Sequence, residues 1–239
     1  MAELPFHTDD LGQMAYAEAL AVQRDHLEEV LAARESGAPE IGRVLLVEHP
    51  PVITISARPD AARHLVADPT TLDSSGVRVE QTDRGGDITY HGPGQLVVYP
   101  ILDLNTLGLR LHDYMRLLES ATIDVCRQWG VSAVRDPVAT GVWVTRDEAD
   151  QTPHAKVCAM GVRVRKWVSM HGLALNVTTD LSHFQLIVPC GLVGRPVTSL
   201  QQVLGERCPA MAEVKQAMCA SLGRRVRDRV EVMRKNGRN

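Results

Sequence analysis

Three places in this sequence bring together residue types that can do chemistry: a cysteine between a proline and a glycine, a lysine heading an apolar run, and four glycines around an arginine and a histidine. Cys190 stands in IVPCGL. Pro189 restricts the backbone before the thiol and Gly191 leaves its far side bare, which opens an approach path to a nucleophile and sets N–H groups near a developing oxyanion. Free cysteine is also among the most buried residue types, and by residue type alone a structural thiol is the favoured reading. Lys156 opens the mostly apolar run in HAKVCAMGVRV, His154–Val164. A lysine there either uses its charge or snorkels its stem outward; near a thiol it favours the thiolate, and desolvation lowers its own pKa. A free thiol of pKa about 8.5 is only a few per cent thiolate at neutral pH, so such help matters. The alternative is a lysine guarding a sheet edge.

The glycines fall in RGGDITYHGPGQ, Arg84–Gln95, where Gly85, Gly86, Gly92 and Gly94 accompany Arg84 and His91. Glycines let a backbone approach a ligand closely and present its N–H groups. The spacing matches neither GxGxxG nor the P-loop, and a glycine-rich turn between strands is the other reading. His154 and Cys158, four apart on a strand, make a poor zinc signature, so no metal is expected. His171 or His91 paired with Cys190 would suit a Cys–His hydrolase. Cys126, Cys158 and Cys219 read as core residues, and Cys208 beside Pro209 as a loop thiol.

These residues need elements to position them. Thr8-Asp9-Asp10 offers cap chemistry for a first helix carrying Leu11, Met14, Ala17 and Leu20 and ending near Ser36, Gly37 and Pro39. Val44–Ser56 reads as two strands broken by Pro50-Pro51, and Val77–Thr82 and Gln95–Leu104 as two more. Leu111, Met115, Leu118, Thr122, Val125 and Trp129 mark an amphipathic helix closed by Gly130. Gly141–Thr145 reads as a strand, DEADQ as a turn, and Lys156–Val177 as two strands joined near Arg165-Lys166. A last helix carries Val214, Met218, Leu222, Val226 and Val230 on one face. Strict βαβ alternation is absent, so the expectation is an α+β fold, a mixed β-sheet flanked by helices, in a single domain over residues 1–239.

Composition narrows the classes. At 239 residues, 44% hydrophobic and 23% charged, the chain reads as globular. Lys plus Arg is 26 against 29 acidic residues, a net −3, with only two Phe, four Tyr and three Trp, so no nucleic-acid partner is expected. No apolar run approaches the ~20 residues of a membrane helix. MAELPFHTDD shows no secretory pattern, and five scattered cysteines argue for a reducing compartment, so a cytoplasmic location is expected. The C-terminal stretch holds Arg224, Arg225, Arg227, Arg229, Arg234, Lys235 and Arg238, either a solvated helix face or a steering patch for an acidic partner.

Together LLVEHPPVITIS, RGGDITYHGPGQLVVYPILDL, GVWV, KVCAMGVRVRKWVSMHGLALNV and PCGLVGRPVTSL resemble, in order, the octanoyltransferases of lipoate biosynthesis. The resemblance covers most of the chain. It implies the fold shared by biotin and lipoate ligases and a Cys/Lys dyad, Cys190 as nucleophile and Lys156 as its partner. It implies substrate contacts at Arg84, Gly85, Gly86, Asp87, Ile88, Thr89, Tyr90 and His91, at Ala159, Met160 and Gly161, and at Gly172, Leu173 and Ala174. The implied donor is octanoyl-phosphopantetheinyl acyl carrier protein. The implied acceptors are lysines of lipoyl domains in 2-oxoacid dehydrogenase E2 subunits and of the glycine cleavage H protein, with no ATP or metal. One departure is Thr54-Ile55-Ser56-Ala57, where the family commonly has a glycine in a T-x-G-like stretch.

The rival readings are an ATP-dependent lipoate or biotin ligase on the same fold, a Cys–His hydrolase, and a non-catalytic acyl-binding protein. A ligase working through an acyl-adenylate requires no cysteine in its site, so Cys190 argues for transfer.

Overall fold

The computed structural model describes residues 5–38, 40–146, 151–188 and 195–236. Cys190, Pro189 and Gly191, most of the DEADQ turn, and Arg238 lie outside these residues.

The chain does not begin with the expected helix. His7–Gln13 is a strand, β1, parallel to Gly42–Glu48, β2. Asp10 caps no helix: its Oδ1 accepts from the Gly12 amide at 3.0 Å, and the carboxylate pairs with Lys215 at 2.9 Å. Helix α1 starts later, Tyr16–Glu35, with no side-chain cap, and buries Tyr16, Ala19, Leu20, Gln23, Leu27, Val30 and Leu31 on one face. Leu11 and Met14 precede it and pack against the same core.

Pro50-Pro51 separates β2 from Val52–Ser56, β3, as expected. A short helix, Pro69–Ser74 (α2), capped by Asp68, leads to Arg78–Thr82, β4. The glycine-rich stretch contains a strand that the reading as a turn missed, Ile88–His91, β5. Gln95–Leu102 forms β6 and Leu111–Gln128 forms α3. Ala133–Arg135 (β7), Val142–Val144 (β8), Ala155–Arg165 (β9) and Val168–Asn176 (β10) follow. Leu200–Leu204 (α4) and Met211–Asn236 (α5) complete the order.

The seven-stranded sheet runs β1-β2-β6-β10-β9-β8-β7 and the three-stranded one β4-β3-β5. Both are mixed: β1–β2 and β3–β4 are parallel, the other pairs antiparallel. The α+β architecture with helices on a mixed sheet is therefore the one expected. One face of the large sheet packs on α3 and α5 through residues such as Leu96, Val98, Leu118, Val125, Met218 and Leu222. The other face carries α1 through Leu45, Val97, Tyr99 and Ile101. Cys126, Cys158 and Cys219 are buried in the first of these cores, and Cys208 packs partly buried against it.

The β9–β10 hairpin turns on Lys166 and Trp167, with φ of 48° and 67°. This is the doubly left-handed geometry of a tight hairpin, which usually takes Asn or Gly. Arg34 and the Leu104 amide hold its carbonyls at 2.8 Å, compensating for the residue types.

A proline, Pro100, sits in β6, an interior strand of the large sheet. The β6–β10 ladder covers Gln95–Val98 and stops before Pro100, which has no N–H to donate. Ser169 fills the gap: its hydroxyl donates to the Pro100 carbonyl at 2.8 Å and accepts from the Leu102 amide at 3.1 Å. Beside this break His171 adopts a left-handed φ of 56°, and its amide is taken by Gln23 Oε1 at 2.8 Å.

Among the described residues no helix is long and apolar enough to cross a membrane.

Candidate active site

Lys156 is fixed by its backbone. It pairs with Trp143 of β8 on one side. On the other its amide donates to Pro196 O and its carbonyl accepts from the Thr198 amide, both at 2.9 Å. The Lys156 stem passes Gly141, where a Cβ would lie 3.5 Å from Cε and only 2.5 Å from the Cys158 carbonyl oxygen. The Gly141 amide is held at 3.3 Å by Glu119 Oε1, a buried carboxylate that also pairs with Arg116 and Arg135.

Lys156 Nζ lies over the buried indole of Trp143. Arg195 meets the same ring, its guanidinium carbon 4.0 Å from the centroid, and pairs with Asp136. Burial alone would raise the Asp136 pKa, but Arg195 and the amides of Val138 and Ala139 outweigh it and hold the carboxyl below its ordinary value. The chain enters the Cys190 segment from Val188, whose amide donates to the His64 carbonyl at 2.8 Å. The assignment of Cys190 itself falls outside the described residues.

A mostly apolar pocket opens between the two sheets. Lys156 does not line it but lines a neighbouring pocket with Trp143 and Arg195 that shares Thr89 and Ala159 with it. One wall of the apolar pocket is a cross-strand patch. Gly172 pairs with Gly161, Leu173 with Met160, and Ala174 with Ala159, so the two expected stretches of β9 and β10 are register partners. All six line the cavity. The opposite wall is the RGGD loop and β5. Strand alternation sends Thr89 and His91 to the cavity. Ile88 and Tyr90 pack instead into a separate core with Phe184 and Ile187, and Asp87 turns away to His64, 2.8 Å distant. The structure thus does not bring Asp87, Ile88 and Tyr90 to the cavity.

Arg84 and Gly86 reach the cavity, and Gly85 lines an adjoining groove. Arg84 is braced on Thr54, Nη2 to its carbonyl at 2.8 Å and to its hydroxyl at 2.9 Å. The Gly85 amide donates to Val162 O at 2.9 Å, and a Cβ on Gly161 would stand 2.5 Å from Gly85 O. The loop and β9 therefore touch backbone to backbone. In the Thr54-Ile55-Ser56-Ala57 stretch, Ser56 donates its hydroxyl to Gly86 O at 3.0 Å.

A tier of rings that the sequence did not single out as a group closes the cavity: Tyr16 and Tyr99 join His91 and His171 in its lining, with His49 behind them. Hydrogen bonds assign the tautomers. Gln95 donates through its amide nitrogen to Tyr90 O and Asn176 Oδ1, so its oxygen accepts from His91 Nδ1 at 2.7 Å. His49 Nδ1 donates to Met14 O at 2.7 Å and its Nε2 accepts from the Tyr99 hydroxyl at 2.8 Å. Asp83 takes His171 Nε2–H at 2.7 Å, leaving the buried Nδ1 without a hydrogen bond. Burial pushes His49 down to about 4 and, with His49 nearby, His91 down to about 3; it also lowers His171 against the pull of Asp83. At neutral pH these histidines are uncharged, which suits an apolar guest. Tyr16 lay in a helix start and Val97 and Tyr99 in a plain apolar strand, so only the packing reveals their part.

Among the described residues no group of three or more His, Cys, Asp or Glu side chains is placed to hold a metal ion. The basic C-terminal stretch is partly structural: Arg225 pairs with Asp124 at 2.6 Å, and Arg229 donates to the carbonyls of Leu107 and Gly108.

A mixed seven-stranded sheet flanked by helices, with a mostly apolar pocket against β9 and β10, is an α+β fold of the ligase-like class. A solved bipartite lipoate protein ligase of Thermoplasma acidophilum shares this fold, with a TM-score of 0.67 at 16% identity over 94% of this chain and 85% of that one. The family model described as lipoyl protein ligase A/B catalytic domain matches residues 15–223. An octanoyltransferase of Bacteroides fragilis is 46% identical over 211 residues, 88% of this chain and 93% of the relative. The mitochondrial octanoyl-[acyl-carrier-protein]:protein N-octanoyltransferase of Xenopus tropicalis is 46% identical over 82% of this chain and 77% of its own length. The chain belongs to the lipoyl protein ligase A/B catalytic-domain family and, within it, to the octanoyltransferases. It is an acyltransferase that transfers octanoyl groups.

Proposed function

We propose that the chain moves an octanoyl group from acyl carrier protein to a lysine of a lipoyl domain through a thioester on Cys190. The observation that carries this reading is Lys156, fixed by its backbone on the same strand, β9, whose Ala159, Met160 and Gly161 line a mostly apolar pocket. Lys156 favours the Cys190 thiolate, which attacks the octanoyl carbonyl; the C–S bond to pantetheine breaks and its thiolate leaves, taking up a proton. The acceptor ε-amine then attacks the acyl-Cys190 carbonyl, loses a proton to Lys156 and releases the Cys190 thiol. One thioester replaces another and is then exchanged for an amide, so the second step is downhill and the reaction draws on neither ATP nor a metal. The cavity residues Arg84, Gly86, Thr89, His91, Ala159–Gly161 and Gly172–Ala174 hold the acyl chain. The acceptors are lipoyl domains of 2-oxoacid dehydrogenase E2 subunits and the glycine cleavage H protein, and the chain works in the cytoplasm.

The test is incubation with octanoyl-acyl carrier protein without ATP, followed by intact mass and peptide mapping. The expected result is an octanoyl adduct on Cys190 that passes to the lysine of an added apo lipoyl domain and is absent from Cys190→Ser. Transfer only with ATP and free octanoate would make the chain a ligase; release of free octanoate without an acceptor would make it a hydrolase.

A further inference from the structure

Lys156 also lines a second, open depression, a groove bounded by β9, the start of α3 and the β7–β8 loop. It shares Gly86, Met160 and Gly161 with the apolar pocket, so the two adjoin at the Gly85–Gly161 backbone contact. Its sides are apolar: Leu111 and Met115 from the start of α3, Val138 from the β7–β8 loop, Met160 and Val162 from β9. Val138 is 83% and Leu111 52% exposed, the first being the most exposed large hydrophobic side chain among the described residues. The groove's rim also carries the exposed cation Arg58, for which no ion pair is found among the described residues; its amide is tied to Ser56 Oγ at 3.2 Å.

We infer that this groove receives the 4′-phosphopantetheine arm of the acyl donor, with Arg58 at the phosphate. The inference rests on the proposed thioester transfer. The donor arm is a slender amphipathic chain with an acyl thioester at one end and a phosphodiester at the other. A mostly apolar pocket for the acyl group, an adjoining groove lined by Lys156, and a cation on that groove's rim match that order of parts. The acceptor lysine also brings a narrow arm, but its free end is an amine, and a cation on the rim favours an anionic guest. A guanidinium suits a phosphate by geometry as well as charge.

The experiment compares two donors free of carrier protein, S-octanoyl-4′-phosphopantetheine and S-octanoyl-pantetheine, by rates of Cys190 acylation. In the wild-type chain the phosphorylated donor has the lower KM. Arg58→Gln raises that KM about fivefold, as for one exposed ion pair, and leaves the unphosphorylated donor within about twofold. Val138→Asp raises KM for both donors with the maximal acylation rate unchanged. Melting curves confirm that both variants fold. An unaltered ratio of the two donors' kcat/KM in Arg58→Gln overturns the assignment, as does a change confined to KM for the lipoyl-domain acceptor. A wild-type chain that takes octanoate from neither donor overturns the transfer reading itself, and the groove's assignment with it.

Discussion

Lys156 Nζ lies 4.8 Å from the centroid of the Trp143 indole, and Trp143 is itself fixed by a hydrogen bond from its Nε1–H to Ala139 O at 3.2 Å. A rigid ring, itself pinned by its strand and by this bond, thus restrains the end of a flexible four-carbon stem. Losing a contact of this kind is worth roughly tenfold in rate when the site is desolvated. Trp143→Leu is expected to slow Cys190 acylation by about that factor, and Trp143→Phe, which keeps a ring face, by no more than about threefold. Rapid-quench mass measurement decides it; an unchanged rate in a folded Trp143→Leu variant would remove the ring from the mechanism.

Lys156→Ala is expected to reduce acylation by about 10²–10⁴-fold, the range for losing a positioned proton-transfer group. The chain should stay folded, because what locks Lys156 in place is its backbone. Intact mass after exposure to octanoyl-acyl carrier protein is the readout, and full labelling would exclude the lysine.

Gly161→Ala is expected to cost about 1–3 kcal/mol of stability, because the new methyl meets the Gly85 carbonyl, backbone that has little room to move. The displaced RGGD loop should also raise KM for the acyl donor. Urea unfolding and steady-state kinetics test both, and a variant of wild-type stability would show that the loop yields.

Acid should weaken this fold through His49 and His91. Their folded pKa values, about 4 and about 3, lie below the unfolded value. The unfolded chain therefore binds the extra protons, stability is complete above about pH 6.5, and it falls as pH drops toward the folded values. Between pH 7 and pH 5 each histidine accounts for about 2 kcal/mol of loss. His91→Asn should shrink that loss by its share in urea titrations at the two pH values; an identical loss would mean that the ring is hydrated.

Much of the scaffold was legible because its residues obey simple periods. Leu118, Thr122 and Val125 recur on the buried face of α3, and Pro50-Pro51 breaks β2 from β3 where expected. The start of the chain misled: Asp9 and Asp10 resemble a helix cap, yet their carboxylates serve contacts to Arg43 and Lys215, partners 34 and 205 residues away in sequence. The glycine-rich stretch hid β5 because its four residues are flanked by turn formers on both sides. At the site, the family resemblance pointed to the cavity walls, but alternation along β5 decided which side chains face inward, and no local signal announces Asp87 pairing with His64. The rings of Tyr16, His49 and Tyr99 come from three separate elements and meet only in the folded chain.

Pro100 gives the sheet a seam. Between Val98 and Leu102 the two central strands share no ladder bond, and the hydroxyl of Ser169 is the stitch across it. Tyr99, inside that seam, packs on His171 at 6.2 Å between ring centroids, so the cavity's tier of rings sits against the unladdered stretch of the large sheet. Ser169→Ala would leave the Leu102 amide without its acceptor, at about 1–3 kcal/mol. Tyr99 and His171, which this stretch presents to the cavity, are thus held across β6 and β10 by one hydroxyl and by ring packing in place of backbone pairing.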